Sequence, residues 1–486
     1  MACTTVLVGK KASNDGSTMI ARTDDGHFDV KKLIVVTPDK QPKKYKSVIS
    51  HVEVELPEKP LRYTACPNVD RKGGIWAATG MNEANVGMTA TETITSNPRV
   101  LAADPLVELK KAHGREKEVP GGIGEEDIVV LVLPYIRSAR EGVLRLGALL
   151  ERYGTYESNG IAFNDENEIW WMETIGGHHW MAKRVPDEVC VMMPNQFGMD
   201  CFDLKDAFGA QEAHLCSSNL REFIADNFLD LNQDGRFNPR TIFGSHTDMD
   251  HIYNTPRAWF MGRYLAPRTF RWEGPNPDFT PESDDLPWAL RPERKLTVED
   301  VKYLLSAHYQ GTPYNPYTSQ DTGKRGMYRS IGINRTGVTT ICQVRGYAPE
   351  AVKALEWVCF GSTTFSAMLP VYPNVERMPA YLSDVALETS TDNFYWCSRL
   401  IGALADPIYA SGIQTVERYQ NAMAVEGRRI VREYDQKIAE TGDAKLMAEA
   451  NGKLAAMAKE KTASVLTDLV LEASKHMKNG FNLADN

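Results

Sequence analysis

Cys3 has the clearest chemical potential in this sequence. A thiol attacks only as thiolate, so it needs a base or a lowered pKa. None of the ten histidines carries a local signature tying it to a cysteine. Another base is close at hand. If Met1 and Ala2 are removed, Cys3 carries its own free α-amine, with a reference pKa of about 7.7–8.0. That amine can take the thiol proton and later give it to a leaving group. One residue then supplies both nucleophile and base. An ordinary buried strand cysteine is the alternative, and position alone leaves both readings open. Cys66, Cys190, Cys201, Cys216, Cys342, Cys359 and Cys397 form no CxxC spacing with one another or with Cys3. A zinc ribbon or thioredoxin-type site is therefore not expected, and these thiols read as reduced, mostly buried small hydrophobes.

Other patterns compete for attention. Asp230-Leu231-Asn232-Gln233-Asp234-Gly235 follows the first half of a calcium loop, with Phe237 at its eighth place. The twelfth place calls for a bidentate glutamate and holds Thr241, so the segment reads as an Asx-rich turn. His246 and His251 stand five apart, not the four of HExxH. His178 and His179 are adjacent and would face opposite sides of a strand. Gly121-Gly122-Ile123-Gly124 has no strand before it and reads as a loop opening a helix, not a nucleotide fingerprint. The expectation is a protein without metal or organic cofactor.

The elements that must position Cys3 are strands. The β-branched run 4–8 ends at Gly9, Asn14-Asp15-Gly16 is a turn, and 17–21 resumes as a strand. That hairpin has Cys3 at its open end. Further strands are expected over 34–37, 75–79, 86–91, 161–163, 168–173, 179–184 and 189–193. A helix over 125–153 opens on Glu125, Glu126 and Asp127, and Pro134 can split it. Residues 272–293, rich in Pro and Asp, read as a surface loop. From about 416 to 478 good helix formers dominate, interrupted at Thr441-Gly442-Asp443. Strand runs followed by helix runs give an α+β architecture. The 486 residues carry a formal charge of -9, with 42% apolar and 24% charged residues and no run of 18 apolar residues. This fits a soluble cytoplasmic protein without nucleic-acid or membrane partners. The opening MACTTVLVGK lacks the basic region, apolar core and cleavage site of a secretory signal.

The opening CTTVLVGKKASNDGSTMIARTDDG resembles the dipeptidases of peptidase family C69, of the dipeptidase A type. These are N-terminal-nucleophile (Ntn) hydrolases related to penicillin V acylase and bile-salt hydrolase. GMNEANVGMTATET, NDENEIWWMETIGGHHWMAKRVPDE, VMMPNQF, YNTPRAWF, HYQGTPYNPY and SIGINRTGVTTICQVR follow as family blocks in family order. The resemblance implies an αββα sandwich with added helices. It also implies three parts: a removed leader, 1–2; a catalytic domain with insertions, 3–415; and a helical C-terminal extension, 416–486.

The resemblance also implies roles for single residues. Cys3 matches the nucleophile, and Arg22 the arginine beside the thiol. Asp25 matches the acid that holds the α-amine, with the adjacent Asp24 as its alternative. Asn195 matches the asparagine whose amide helps form an oxyanion hole. Asn82 is the expected second contributor, by backbone or side chain. Arg257 is the expected second active-site arginine. The implied activity is hydrolysis of the amide bond of dipeptides through a thioester, by a homo-oligomer. Two alternatives stay open: an acylase of the penicillin V or bile-salt type, and a non-catalytic, secernin-like interaction protein.

Overall fold

The computed structural model describes residues 3–233 and 235–478. Its centre is two antiparallel sheets. Their strands are β1 (Thr4–Val8), β2 (Thr18–Asp24), β3 (Thr79–Met81), β4 (Gly87–Thr93), β5 (Asn159–Asn164), β6 (Ile169–Ile175) and β7 (His179–Arg184). There follow β8 (Cys190–Met193), β9 (His214–Cys216), β10 (Ala289–Leu290), β11 (Val338–Val344), β12 (Ala354–Phe360) and β13 (Leu369–Val371). The seven-stranded sheet runs β10-β8-β1-β2-β11-β12-β13, and the six-stranded sheet β9-β7-β6-β5-β4-β3. β2 packs on β4 and β5 across the interface, and β11 on β3 and β4.

Helices cover both outer faces. α1 (Glu125–Val132) packs on β4, and α2 (Ala139–Tyr153) on β5, β6 and β7. On the other side lie α3 (Thr255–Leu265) against β8, α4 (Val298–Leu305) against β1 and β2, and α5 (Phe394–Ala405) against β12. Two long helices, α6 (Tyr409–Thr441) and α7 (Lys445–Lys475), pair with each other and rest on β13. The layers are therefore αββα, with a helical C-terminal region as expected. Gly442, at φ 68, closes α6 in the left-handed conformation that glycine takes most easily. Asn451 of α7 bonds both the N–H and the C=O of Tyr372, at 2.9 Å each, locking the tail to the end of β13.

The hairpin forms because its residues alternate between two cores. Leu7 and Ile20 pack between the sheets with Ala162 and Trp171. Val6 and Ala21 pack on the helix side with Trp259 and Val301. Alternation then dictates the faces. β1 and β2 pair Thr5 with Arg22 and Thr4 with Thr23. One step further in that register sets Cys3 opposite Asp24. Cys3, Arg22 and Asp24 share the inter-sheet face, while Thr4, Thr23 and Asp25 share the helix side.

Two details depart from the sequence reading, and one follows it. The expected strand 75–79 is a strand only from Thr79 onward. Trp76 (φ 47) and Ala78 (φ 60) are left-handed, which breaks the ladder. The helix expected over 125–153 is split at Pro134, as its sequence allowed, by a 3-10 turn at Leu133–Tyr135. The 272–293 loop contains β10, which extends the large sheet beyond β8.

Candidate active site

The thiol of Cys3 is fully buried at the end of β1, and so is the guanidinium of Arg22 on the same face of the neighbouring strand. Arg22 Nη2 donates to Cys3 Sγ at 2.9 Å. The same nitrogen pairs with Glu125 of α1 and stands 3.5 Å from Asp24 Oδ1. Arg22 Nη1 donates to the carbonyl of Ala78 at 3.0 Å. Burial alone would push this guanidinium down. The negative charges of Cys3, Glu125 and Asp24 outweigh burial and hold it well above its ordinary value. Burial likewise works against the Asp24 carboxylate, but Lys31, at 2.6 Å, and Arg22 hold it below the usual range. Lys31 also donates to the carbonyl of Trp76 at 3.0 Å. The two left-handed residues thus aim their carbonyls at the two cations of the site, a local strain that these contacts compensate.

A second buried arginine ties the other half together. Arg257 of α3 donates through Nη1 to the carbonyl of Cys3 and, at 2.7 Å, to Thr4 Oγ1. Through Nη2 it donates to Asn195 Oδ1 and Asn254 Oδ1, each at 2.8 Å. Arginine only donates, so this bond fixes which end of the Asn195 amide is the N–H end. Asn195 Nδ2 donates to the Thr93 carbonyl at 2.9 Å, reaching the second sheet.

Asp25 reaches Cys3's strand from the helix side. Its carboxylate accepts from Arg329 Nη2 at 2.5 Å, Thr336 Oγ1 at 2.6 Å and Thr23 Oγ1 at 3.1 Å. Thr23 Oγ1 in turn accepts from the Thr4 N–H at 3.0 Å. The structure therefore brings Cys3, Arg22, Asp24, Asp25, Asn195 and Arg257 together.

It does not bring Asn82 to them as a donor. Asn82 Nδ2 donates to the Leu133 and Ile136 carbonyls, both at 2.8 Å, and its backbone N–H to Val86 O at 2.9 Å. Its Oδ1 accepts from Ala84 N and Val86 N. Its Oδ1 and N–H close the β3–β4 turn and its Nδ2 ties that turn to the 133–136 segment, so both its donors are engaged away from Cys3, which corrects the expected oxyanion role. Nothing local in the sequence marks Glu125, Lys31 or Arg329 as site residues, and an acid in the first turn of α1 is ordinary.

The rival patterns resolve as structure. Cys3, Asp24 and Glu125 could each offer a ligand atom within 4.8 Å of the others. Arg22 Nη2 already contacts all three, so a guanidinium stands where a metal ion would. His178 and His179 do not face apart, because His178 lies in the turn before β7. Both bond Asp104, at 2.9 and 2.7 Å. Burial would raise Asp104, but the bonds from His179 and His178 hold it down to about 2. In the calcium-like segment Asp230 accepts from the Asn232 N–H at 3.0 Å, an Asx turn, while Asp234 lies outside the described residues. Gly124 caps α1, as a loop glycine before a helix should.

The sequence model of peptidase family C69 matches residues 2–422. A dipeptidase of Bifidobacterium longum (strain NCC 2705) is 51% identical over 532 residues, covering 100% of both chains. A probable dipeptidase A of Streptococcus pyogenes serotype M3 (strain SSI-1) is 49% identical over 490 residues, again covering 100% of both. Dipeptidase A of Lactobacillus helveticus is 40% identical over 494 residues, covering 99% of each. The C2A mutant of a conjugated bile acid hydrolase from Clostridium perfringens matches at TM-score 0.28 and 13% identity, over 74% of this chain and 89% of that one. The fold assignment rests on the sheets and helices described above.

Two substitutions test this geometry. Arg22→Gln removes the cation beside the thiol, so the pH midpoint of Cys3 alkylation by iodoacetamide should rise and the rate at pH 7 fall by about tenfold or more. An unchanged profile would remove Arg22 from thiolate control. Asn82→Ala should cost about 2–4 kcal/mol of stability by denaturant titration, because it strands buried backbone groups. It should spare kcat rather than lower it by the ~10²–10³ of a lost oxyanion donor.

Proposed function

The chain belongs to peptidase family C69, and on that premise we propose that it hydrolyses the amide bond of dipeptides with Cys3 as N-terminal nucleophile. It is a cysteine-type hydrolase. The observation that carries the mechanism is the 2.9 Å contact of Arg22 Nη2 with Cys3 Sγ, in a site where Arg257 also joins Cys3 to Asn195. Removal of Met1 and Ala2 frees the Cys3 α-amine, which takes the thiol proton. Arg22 stabilises the thiolate that results. Asp25 acts through Thr23, holding the backbone beside Cys3, and Asp24 faces the thiol with Arg22 and Lys31.

The thiolate adds to the scissile carbonyl, and the Asn195 amide, oriented by Arg257, stabilises the oxyanion. The α-ammonium of Cys3 protonates the departing amine, leaving a thioester. The amine then activates water, a second oxyanion forms at the same place, and the thioester collapses to acid and free thiol. This chain's own residues supply every step. Relatives named dipeptidase at 40–51% identity favour this substrate over the penicillin V or bile-salt class, and the assembled thiol site weighs against a purely non-catalytic role. A cytoplasmic location, which rests on composition and charge, and a homo-oligomeric state, which rests on the family resemblance, belong to the same reading. No helix among the described residues is long and apolar enough to cross a membrane.

The test is turnover of a dipeptide panel by the purified protein and two variants. Cys3→Ala should be inactive. Asn195→Ala should lose ~10²–10³ in kcat with KM little changed, because its bond strengthens in the transition state. A raised KM at constant kcat would make Asn195 a substrate-binding group. No turnover of any dipeptide by the unmodified protein would reject the activity.

A further inference from the structure

A dipeptide differs from most amide substrates in bearing a cation next to the bond to be cut. Its α-ammonium nitrogen is bonded to the Cα that carries the scissile carbonyl, and so lies about 2.5 Å from the carbonyl carbon. In a near-attack arrangement that carbon is about 3–3.5 Å from the sulfur. A charge-assisted bond from the ammonium to a carboxylate adds about 2.8 Å, so even an extended path keeps that oxygen within about 8–9 Å of the sulfur and a bent one brings it closer. A dedicated reader of the free amino terminus must therefore be a carboxylate near the nucleophile.

Two carboxylates stand within 4.8 Å of Cys3 Sγ, those of Asp24 and Glu125. Asp24 is closed off by Lys31 and Arg22. Glu125 is different. Its Oε1 pairs with Arg22, while its Oε2 is buried and has no hydrogen-bond partner among the described residues. Such a group is destabilising for as long as it stays unpaired. Next to Glu125, the Glu157 carboxylate accepts the Glu125 backbone N–H at 2.6 Å. Burial and then the charge of Glu125 push its carboxyl up to about 7.

We propose that Glu125 Oε2 receives the free α-ammonium of the dipeptide, making Glu125 the residue that selects substrates with an unblocked amino terminus. This rests on the dipeptidase reading of the same site. Oε1 keeps the thiolate's arginine in place while Oε2 measures one residue from the amino end to the scissile bond. An N-acylated substrate brings a neutral, bulkier group to that oxygen and leaves it unpaired.

The test uses two affinity labels, alanyl chloromethyl ketone with a free amine and its N-acetyl form. In both the Cys3 thiolate attacks the chloromethyl carbon, a C–S bond forms, the C–Cl bond breaks and chloride leaves. Inactivation rates are divided by the iodoacetamide rate of the same protein, which corrects for any change in the thiolate. The wild type should prefer the free amine by about 100-fold, in the range expected for a buried charge pair. Glu125→Gln should bring the ratio to near one, and Glu125→Asp, which keeps the charge, should restore most of it. Equal labelling of the wild type by both reagents overturns the proposal, even if Glu125→Gln fails to fold. A ratio that survives Glu125→Gln overturns it as well. A wild type that shows the preference yet hydrolyses no dipeptide keeps this inference and sinks the dipeptidase reading.

Discussion

The buried contact between the Arg22 guanidinium and the Cys3 thiol is the constraint on which the rest depends. A cation taken out of water costs several kcal/mol unless its charge is matched and its hydrogens are used. Arg22 meets that demand with a thiolate, two carboxylates and a carbonyl drawn from four separate segments. The matching is reciprocal. A thiol with no cation beside it is pushed the other way, as at Cys190, where burial takes it well above its ordinary value. Buried Cys3 can be a thiolate because Arg22 is there, and Arg22 can be buried because Cys3, Asp24 and Glu125 are.

That one demand shapes the surrounding backbone. β1 and β2 must pair so that Thr5 faces Arg22, since slipping by one residue would carry the guanidinium to the helix side. α1 must start at Glu125, which sets its first acid against the arginine. Glu126 and Asp127 then serve the 45–49 loop and the helix cap. Trp76 and Ala78 adopt left-handed conformations to turn their carbonyls toward Lys31 and Arg22. Arg257 performs the matching task on the other side of Cys3, holding its carbonyl and the Asn195 amide in one frame. A second sheet is needed to complete that frame, because the Asn195 amide is anchored on Thr93 of β4.

How far the sequence could be read follows from the range of each interaction. The hairpin, its turn and the tail helices are local, and alternation or helix-former composition reveals them. Gly16, at φ 79, with Asp15 bonding Ser13 and Ser17, is the turn that Asn14-Asp15-Gly16 announces. Arg22 sits across that hairpin, but Asn195 and Arg257 are joined to Cys3 only through pairings far apart in sequence, so the family resemblance pointed to them where periodicity could not. The Asp24–Asp25 ambiguity was open to strand periodicity, since residues two apart share a face and Arg22 is two from Asp24. Glu125 was hidden because an acid in the first turn already has a sufficient local reason. Asn82 misled because a turn asparagine and an oxyanion donor look alike until their partners are known. The 75–79 segment misled because its left-handed residues follow from contacts with Lys31 and Arg22, not from its own β-forming composition.

The central claim is that one residue is both nucleophile and base, which requires a free amine on Cys3. The direct measurement is the intact mass of the chain in a preparation whose active fraction is counted by titration of Cys3. The account predicts that every active molecule lacks Met1 and Ala2 and begins at Cys3. Full activity in molecules that keep the Ala2–Cys3 peptide bond would contradict it.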